Sequence, residues 1–297
     1  MIIMIVNSQL IINSVVTGSI YVLVAIGLTM VYRVLKFANF SHAELVTFGA
    51  YMAYIINVSI GMNIFYGAAA AFFLTGILGI ATDRLVFKKL RNNGSNVISM
   101  MIASIGIGLV LRQSIQEIWG PNQVWYGIET KTFEIFGGSI TEIQVYIIIL
   151  STALIFLLHF MFRKTKLGKA MRGVSDNPQL AMASGIDTEK ILLWVWFIGG
   201  GLAGIGGVFR GADTRLVPLL GWEVILSTFA VVIMGGIGSF YGAVLAAYIL
   251  GFAENFGVAI LSDLSISTGY RPAIAFIILI IVLILRPEGI MGKKEAC

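Results

Sequence analysis

Four polar side-chain types stand close together near the start of the chain, in the segment Asn39-Phe40-Ser41-His42-Ala43-Glu44. Polar groups at membrane depth are costly, on the order of 2.5–3.5 kcal/mol for a charged residue at the centre of a spanning helix. One interpretation is a broken helix whose free N–H groups and polar side chains (Asn39, Ser41, His42 and Glu44) face a substrate path. The other is an N-cap, in which Asn39 or Ser41 starts a helix and His42 and Glu44 lie in its first turn. The two interpretations are compatible.

A second break is indicated by residues 235–242, where four glycines fall within eight residues (GGIGSFYG) and weaken a continuous helix. Two interrupted spans in corresponding halves of a chain are typical of a transport path, which predicts Gly235, Gly236 and Gly238 on that path. The alternative is tight helix packing or a turn between two spans.

A third segment, residues 171–187, predicts a short helix outside the membrane. Asp176 or Asn177 is placed to cap it, Pro178 suits its first position, and Gly185 suits its end. Helical spacing then exposes Leu180, Ala181 and Ser184, which are small enough to dock into a groove on a partner. The alternative is an unremarkable loop helix.

Catalytic and metal chemistry find no support in the sequence. Only two histidines are present, neither in an H-E-x-x-H pattern, and no G-x-x-x-x-G-K-[ST] phosphate loop occurs. We therefore expect no enzyme, no metal site and no cofactor, and any ATP that drives the protein must be bound by another chain. Arg112 and Glu117 are expected to pair or to snorkel near a boundary, whereas Glu254 lies within an apolar run.

The composition indicates that these residues sit in a membrane protein. Hydrophobic residues make up 58% of the 297 and charged residues 12%, whereas soluble domains carry about 25% charged residues. The single Cys297 leaves no intrachain disulfide and no cysteine metal cluster. The net charge of +5 is concentrated in loops, which argues for membrane orientation rather than nucleic acid as its cause.

Apolar segments of spanning length position the three polar segments. Nine are predicted: 10–31, 37–58, 62–82, 97–117, 143–162, 191–209, 222–237, 241–261 and 271–286. Basic residues cluster in four places: 33–36, 84–91, 163–172 and 286–294. Placing all four in the cytoplasm puts the N-terminus outside and the C-terminus inside, and requires 222–261 to cross twice. The fold class is thus an all-α polytopic membrane protein with roughly 8–10 spans, a single domain over 1–297, with broken helices in two pseudo-equivalent halves.

Six blocks in order resemble the H-type permease subunit of branched-chain amino acid ABC importers. They are residues 27–32 (GLTMVY), 39–51 (NFSHAELVTFGAY), 172–187 (RGVSDNPQLAMASGID), 235–243 (GGIGSFYGA), 250–254 (LGFAE) and 286–292 (RPEGIMG). The sequence departs from the family pattern at Ala43, where glycine is usual, and at Tyr241, where many members have proline.

The resemblance implies a multi-pass protein of the inner cell membrane, working with a second permease subunit, two cytoplasmic ATPases and an extracytoplasmic substrate-binding protein. The segment like 39–44 lies by the translocation path in this family. The cytoplasmic loop 163–190 is expected to carry the helix that couples to the ATPases, through Asp176, Asn177, Leu180, Ala181, Ser184, Gly185 and Ile186. The alternatives are a urea or short-amide ABC permease, and an ion-coupled secondary transporter that uses His42, Glu44 or Glu254.

Overall fold

Helices dominate the described part of the chain. The computed structural model describes residues 2–135 and 137–292, apart from the side chains of residues 2–7 and 268. Its α-helices are α1 (Ile2–Leu35), α2 (His42–Tyr54), α3 (Ile64–Thr82), α4 (Lys88–Asn92), α5 (Val97–Trp119), α6 (Glu142–Lys164), α7 (Lys166–Asp176), α8 (Pro178–Ala183), α9 (Thr188–Asp213), α10 (Leu220–Gly235), α11 (Phe240–Asp263) and α12 (Arg271–Leu285). π-helical turns at Ile55–Ser59 and Asp83–Phe87 continue α2 and α3, and a 3-10 turn at Thr268–Tyr270 precedes α12.

Each of the nine predicted apolar segments coincides with a helix of this structure. Six helices are long and apolar enough to cross a membrane within the described ranges, and α10 and α12 are shorter apolar helices. The all-α polytopic membrane class is therefore confirmed. The clearest difference concerns the predicted span 37–58, because its helix, α2, begins only at His42.

Two helices, α1 and α9, form the centre of the bundle. In each of them, 72% of an apolar stretch of 18 residues is buried. Glycine lets the neighbouring backbones approach closely. A Cβ atom at Gly27 would lie 2.5 Å from the carbonyl oxygen of Gly199, and one at Gly207 would overlap the carbonyl oxygen of Val46. The glycine run 199–207 thus has the packing role that its spacing predicts.

Contacts gather the basic segments at one end of the bundle, which we call the basic end. Arg33 on α1 bonds to Ser175 on α7, Lys88 on α4 pairs with Glu189 on α9, and residues 286–292 pack beside the end of α10. This arrangement is the one that the predicted topology requires. Which side of the membrane the basic end faces stays a prediction.

The opposite end contains an element that the sequence did not predict. Strands β1 (Thr132–Ile135) and β2 (Gly138–Thr141) form an antiparallel hairpin between α5 and α6, with Thr132 paired to Thr141. Nearby, Val124 forms an isolated bridge with Leu216. The hairpin was not predicted because it is short and lies in a polar connection of an otherwise helical chain.

Candidate functional site

The half-length helix α2 begins inside the bundle. After α1 ends at Leu35, residues 36–41 turn back without helical structure, beginning with Lys36 at φ 59°. The ring of His42, the first residue of α2, then lies with its Nε2 3.1 Å from the carbonyl oxygen of Val24. Val24 precedes the end of α1 by 11 residues, or about 16 Å at 1.5 Å per residue. The polar segment is therefore carried deep into the bundle.

The backbone N–H groups at the start of α2 donate hydrogen bonds within a tight turn. Asn39 Oδ1 accepts hydrogen bonds from Ser41 Oγ at 2.6 Å and from Ser41 N at 3.2 Å. The N–H groups of His42 and Ala43 donate to the carbonyls of Asn39 and Phe40. The expectation of free N–H groups is thus wrong for these two residues. Ser41 holds the N-cap position, as one interpretation proposed, but its side chain makes no capping bond.

Three polar atoms of this segment are buried without a hydrogen-bond partner among the described residues: Asn39 Nδ2, His42 Nδ1 and Glu44 Oε2. The side chains of Asn39, Ser41, His42 and Glu44 are completely buried. Because His42 Nε2 faces a carbonyl it carries the proton, which leaves Nδ1 as an acceptor. Since buried polar atoms are nearly always paired, the segment holds unused hydrogen-bonding capacity inside the membrane region.

Glu44 forms an ion pair that the sequence did not predict. Arg112 on α5 donates from Nε to Glu44 Oε1 at 2.9 Å and also from Nη2 to the same oxygen. Arg112 was expected either to pair with Glu117, five residues along the same helix, or to snorkel, and the pairing with Glu117 is wrong. Arg112 could have been singled out because it is a charge within the apolar segment 97–117, but nothing in the sequence names a partner 68 residues away.

The indole of Trp222 covers the other side of this ion pair. The Arg112 guanidinium carbon lies 4.9 Å from the ring centroid, a cation–π distance. Trp222 stands in the first turns of α10 and is 39% exposed. Sequence reasoning missed this residue too, since an aromatic at the start of an apolar helix carries no specific signal.

The glycine run 235–238 lies elsewhere, in the turn that joins α10 to α11. Gly236 and Gly238 have φ values of 97° and 79°, which only glycine adopts without strain. A Cβ atom at Gly238 would lie 3.3 Å from Arg33 Cγ, at the basic end. Ile290 N also donates to Met234 O at 2.8 Å, so the segment 286–292 packs on this turn. The structure makes the run a turn between helices; its place on a substrate path, with Gly235, stays a prediction.

The predicted coupling segment forms two helices, α7 and α8. Asn177 caps α8 by accepting from Leu180 N at 3.0 Å, Pro178 is the first helical residue, and Gly185 follows the helix with φ 81°. Leu180 is 65% exposed, and Asp176, Ser184 and Gly185 are exposed as well. Ala181 is 5% exposed, so its predicted exposure is wrong, because its face of α8 packs onto the protein. Ile186 is half-buried.

Arg33 links this segment to the connection that leads into α2. Its Nε donates to Ser175 Oγ at 3.1 Å, and Ser175 Oγ donates to the carbonyl of Arg33 at 3.2 Å. A longer contact of 3.7 Å joins Arg33 Nη2 to Asp176 Oδ1. The end of α7 is thus attached to α1 three residues before the chain turns back toward Asn39.

Helix α5 is loosely attached to the bundle. Only 22% of its apolar stretch of 18 residues is buried. The buried residues form a narrow stripe that includes Ser104, whose Oγ accepts a hydrogen bond from Phe40 N at 3.0 Å. Its exposed surface divides into two sides at 3.6 residues per turn. An apolar flank comprises Ile98, Ile102, Ile105 and Leu109, and a second flank, called the polar flank because it carries the exposed polar side chains, comprises Ser99, Gly106, Val110, Gln113, Ser114 and Glu117. Lipid suits the first flank but not the second.

Comparison with known proteins gives a consistent family. A family model described as the branched-chain amino acid transport system / permease component matches residues 10–283. The high-affinity branched-chain amino acid transport system permease protein LivH of Salmonella typhimurium is 30% identical, over 95% of this chain and 94% of that protein. The probable branched-chain amino acid transport permease protein LivH of Methanocaldococcus jannaschii is 31% identical, over 94% and 91%.

More distant similarities extend beyond amino acid transport. The ribose import permease protein RbsC of Escherichia coli strain K12 is 26% identical over 90% of this chain and 82% of its own. Among solved structures, PsaBC from Streptococcus pneumoniae in complex with Fab aligns with a TM-score of 0.53 at 13% identity, over 95% of this chain and 92% of that one. At this identity the alignment supports the fold alone.

Proposed function

The chain belongs to the family of branched-chain amino acid transport permease components, and from this membership we propose that it is the membrane subunit of an ATP-driven importer of leucine, isoleucine or valine. The observation that carries the proposal is the polar first turn of α2, which begins deep within an apolar bundle. Broken helices at such depth are typical of substrate sites in transporters. The chain is a multi-pass inner-membrane protein and, as a transport subunit, needs no catalytic site of its own.

The proposed substrate path runs along the segment that holds Asn39, Ser41, His42 and Glu44, with Gly235, Gly236 and Gly238 toward its inner end. A second permease subunit completes it. This assignment is supported by α5, whose polar flank would otherwise face lipid. Covering that flank with a second permease places the path between the two subunits, next to the Glu44–Arg112 pair.

The basic end is proposed to face the cytoplasm, because loops rich in Lys and Arg remain on that side. Two separate ATPase subunits bind ATP and dock on the exposed part of residues 176–186. Their closure pushes α7 and α8, and the bond between Ser175 and Arg33 carries the movement toward residues 36–41. A substrate-binding protein delivers the amino acid at the opposite end. The permease chain itself needs no cofactor.

The ion-coupled alternative is less well supported by the geometry. A carboxylate that carries protons or sodium ions must be able to lose its charged partner when no other charged group replaces that partner. Glu44 is paired with Arg112, and Glu254 is paired with Arg271 at 2.9 Å while also accepting from Tyr21 and Ser227. The urea or short-amide alternative differs from the proposal only in the substrate.

The test of the proposal is affinity purification of this chain from its native membrane, followed by identification of the co-purified proteins. Two ATPases and a second permease are expected, together with ATP-dependent leucine uptake after reconstitution. A chain that purifies alone and moves solute with an ion gradient would overturn the proposal.

A docking variant sharpens this test. Gly185 is not a suitable position for this variant, because its φ of 81° would strain any side chain whether or not an ATPase docks nearby. Leu180→Arg changes an exposed residue of α8 and should remove the ATPases from the purified complex. Leu264→Arg is the matched control, since Leu264 is 64% exposed against 65% for Leu180 but lies at the opposite end. Equal ATPase recovery from both variants would contradict docking on α8.

A further inference from the structure

Three buried carboxylates in this bundle are paired with arginine, and one of them differs from the others. Asp83 uses both oxygens on Arg91, at 2.6 and 3.2 Å. Glu254 has Oε1 bonded by Ser227, and Oε2 bonded by both Tyr21 and Arg271. Glu44, by contrast, receives both Arg112 bonds on Oε1, and its Oε2 makes no hydrogen bond of normal geometry with the described residues, although the Thr47 hydroxyl is close enough to the carboxyl group to interact with it.

The Glu44–Arg112 pair also lies close to the surface of the bundle. The Arg112 side chain is 14% exposed, while that of Glu44 is 1% exposed. Arg112 belongs to the loosely packed α5, and the half-exposed indole of Trp222 on α10 lies over its guanidinium. A small ligand that displaces the indole therefore reaches a guanidinium and an unpaired carboxylate oxygen together.

The chemistry of this pair selects a particular ligand class. Separating a buried ion pair is costly if either charge is left alone. A ligand that carries one carboxylate and one ammonium group can replace both partners at once, with the carboxylate on Arg112 and the ammonium on Glu44. No net charge enters the membrane in this exchange. A neutral amide or a singly charged molecule leaves at least one of the two protein charges uncompensated.

We infer that Glu44 and Arg112 form a binding site for the zwitterionic head group of an α-amino acid on the path, with Trp222 as its movable cover. This inference rests on the proposed function and restricts its substrate class to zwitterions, which excludes urea and short amides. Oε2 of Glu44 is the first acceptor for the ligand ammonium, since it is free before the ion pair opens. The branched side chain then replaces Trp222 against the apolar surroundings.

The experiment uses the purified importer complex in lipid nanodiscs and follows tryptophan fluorescence during titration. The probes are L-leucine, 4-methylpentanoate, 3-methylbutylamine and 4-methylpentanamide, which share the branched chain and differ in charge. L-leucine should give a saturable change that Trp222→Phe abolishes. The three analogues should bind at least about tenfold more weakly, as should L-leucine to Glu44→Gln or Arg112→Gln.

Matched variants separate recognition from folding. Glu254→Gln makes the same chemical change at a pair without a free oxygen, and L-leucine affinity should stay within about twofold. If either single variant at the site misfolds, the double variant Glu44→Gln/Arg112→Gln leaves no unpaired charge and is expected to fold. Unchanged leucine affinity in the folded double variant would overturn the inference, as would equal binding of 4-methylpentanamide. Leucine uptake by the unaltered complex is read separately and decides the proposed function.

Discussion

Single glycines determine how closely α9 approaches its neighbours. At Gly207 the backbone of α9 touches the carbonyl of Val46 on α2, and at Gly49 the backbone of α2 touches Gly204. Both contacts join backbone to backbone, so neither helix can yield by changing a rotamer. The position of α2, and therefore of Glu44, depends on the absence of side chains at these residues.

We expect Gly207→Ala to destabilise the protein by about 1–3 kcal/mol, because the added methyl group overlaps a fixed carbonyl. The matched control is Gly106→Ala on α5, where a Cβ meets nothing within 4 Å. Alanine there should be neutral or slightly stabilising, since glycine weakens a helix interior. Thermal unfolding in detergent measures both, and equal midpoints for the two variants would contradict close backbone packing as the role of Gly207.

For single residues, the sequence predicted correctly those features that depend only on residues nearby in the chain. Asn177 and Pro178 were expected to start a helix and do so, because capping involves atoms within three residues. Ala181 was misplaced, because the face that α8 buries is decided by distant parts of the chain. Arg112 was assigned the wrong partner for the same reason, since its ion pair is formed by two separate helices.

At the scale of elements, Arg33 is the residue through which α7 and α1 are attached. The contact to Asp176 is exposed and contributes little, whereas Ser175 is 5% exposed and bonds Arg33 in both directions. The mutual bonds between Arg33 and Ser175 are therefore the stronger part of the attachment.

Arg33→Ala should lower leucine transport per ATP hydrolysed several-fold while the ATPases still bind. The reason is that α8 keeps its docking surface but α7 loses its bond to the chain that leads into α2. Lys88→Ala is the control, because Lys88 and Glu189 form a half-exposed pair at the same end, worth about 0–1 kcal/mol. The measurement is the ratio of uptake to ATP hydrolysis in proteoliposomes. An unchanged ratio for Arg33→Ala would show that movement does not pass through this residue.

The existence of helices was predictable from the lengths of the apolar runs, and the start of α2 was not. Residues 37–41 are apolar enough to extend a span, yet the chain leaves helical geometry there because Asn39 bonds Ser41 locally. The glycine run after α10 shows the reverse case. Its composition predicted a break correctly, but the depth of that break depends on the packing of Arg33 and residues 286–292, which local sequence does not specify.

For the molecule as a whole, the two flanks of α5 predict different surroundings in the assembled importer. Ser114 and Ile105 are both exposed and are nine residues apart, or about two and a half helical turns, so they point to opposite sides. The polar flank is expected to meet the second permease, and the apolar flank to meet lipid.

Cysteine substitution tests this difference in a background where Cys297, the single cysteine of the chain, is replaced by serine. Ser114→Cys should form a cross-link to a cysteine on the second permease and should react slowly with a lipid-soluble maleimide. Ile105→Cys should react freely with the maleimide and give no cross-link. The opposite pattern would place the second permease on the wrong side of α5 for the proposed path.

The loose attachment of α5 also has a consequence for the life of the chain in the cell. A copy synthesised without its partner holds an amide and a carboxylate against lipid, on a helix whose few contacts with the bundle make local unfolding easy. Membrane proteases should therefore degrade unassembled copies faster than assembled ones. The amounts of the two permeases would then be equalised by turnover of the surplus, without matched rates of synthesis.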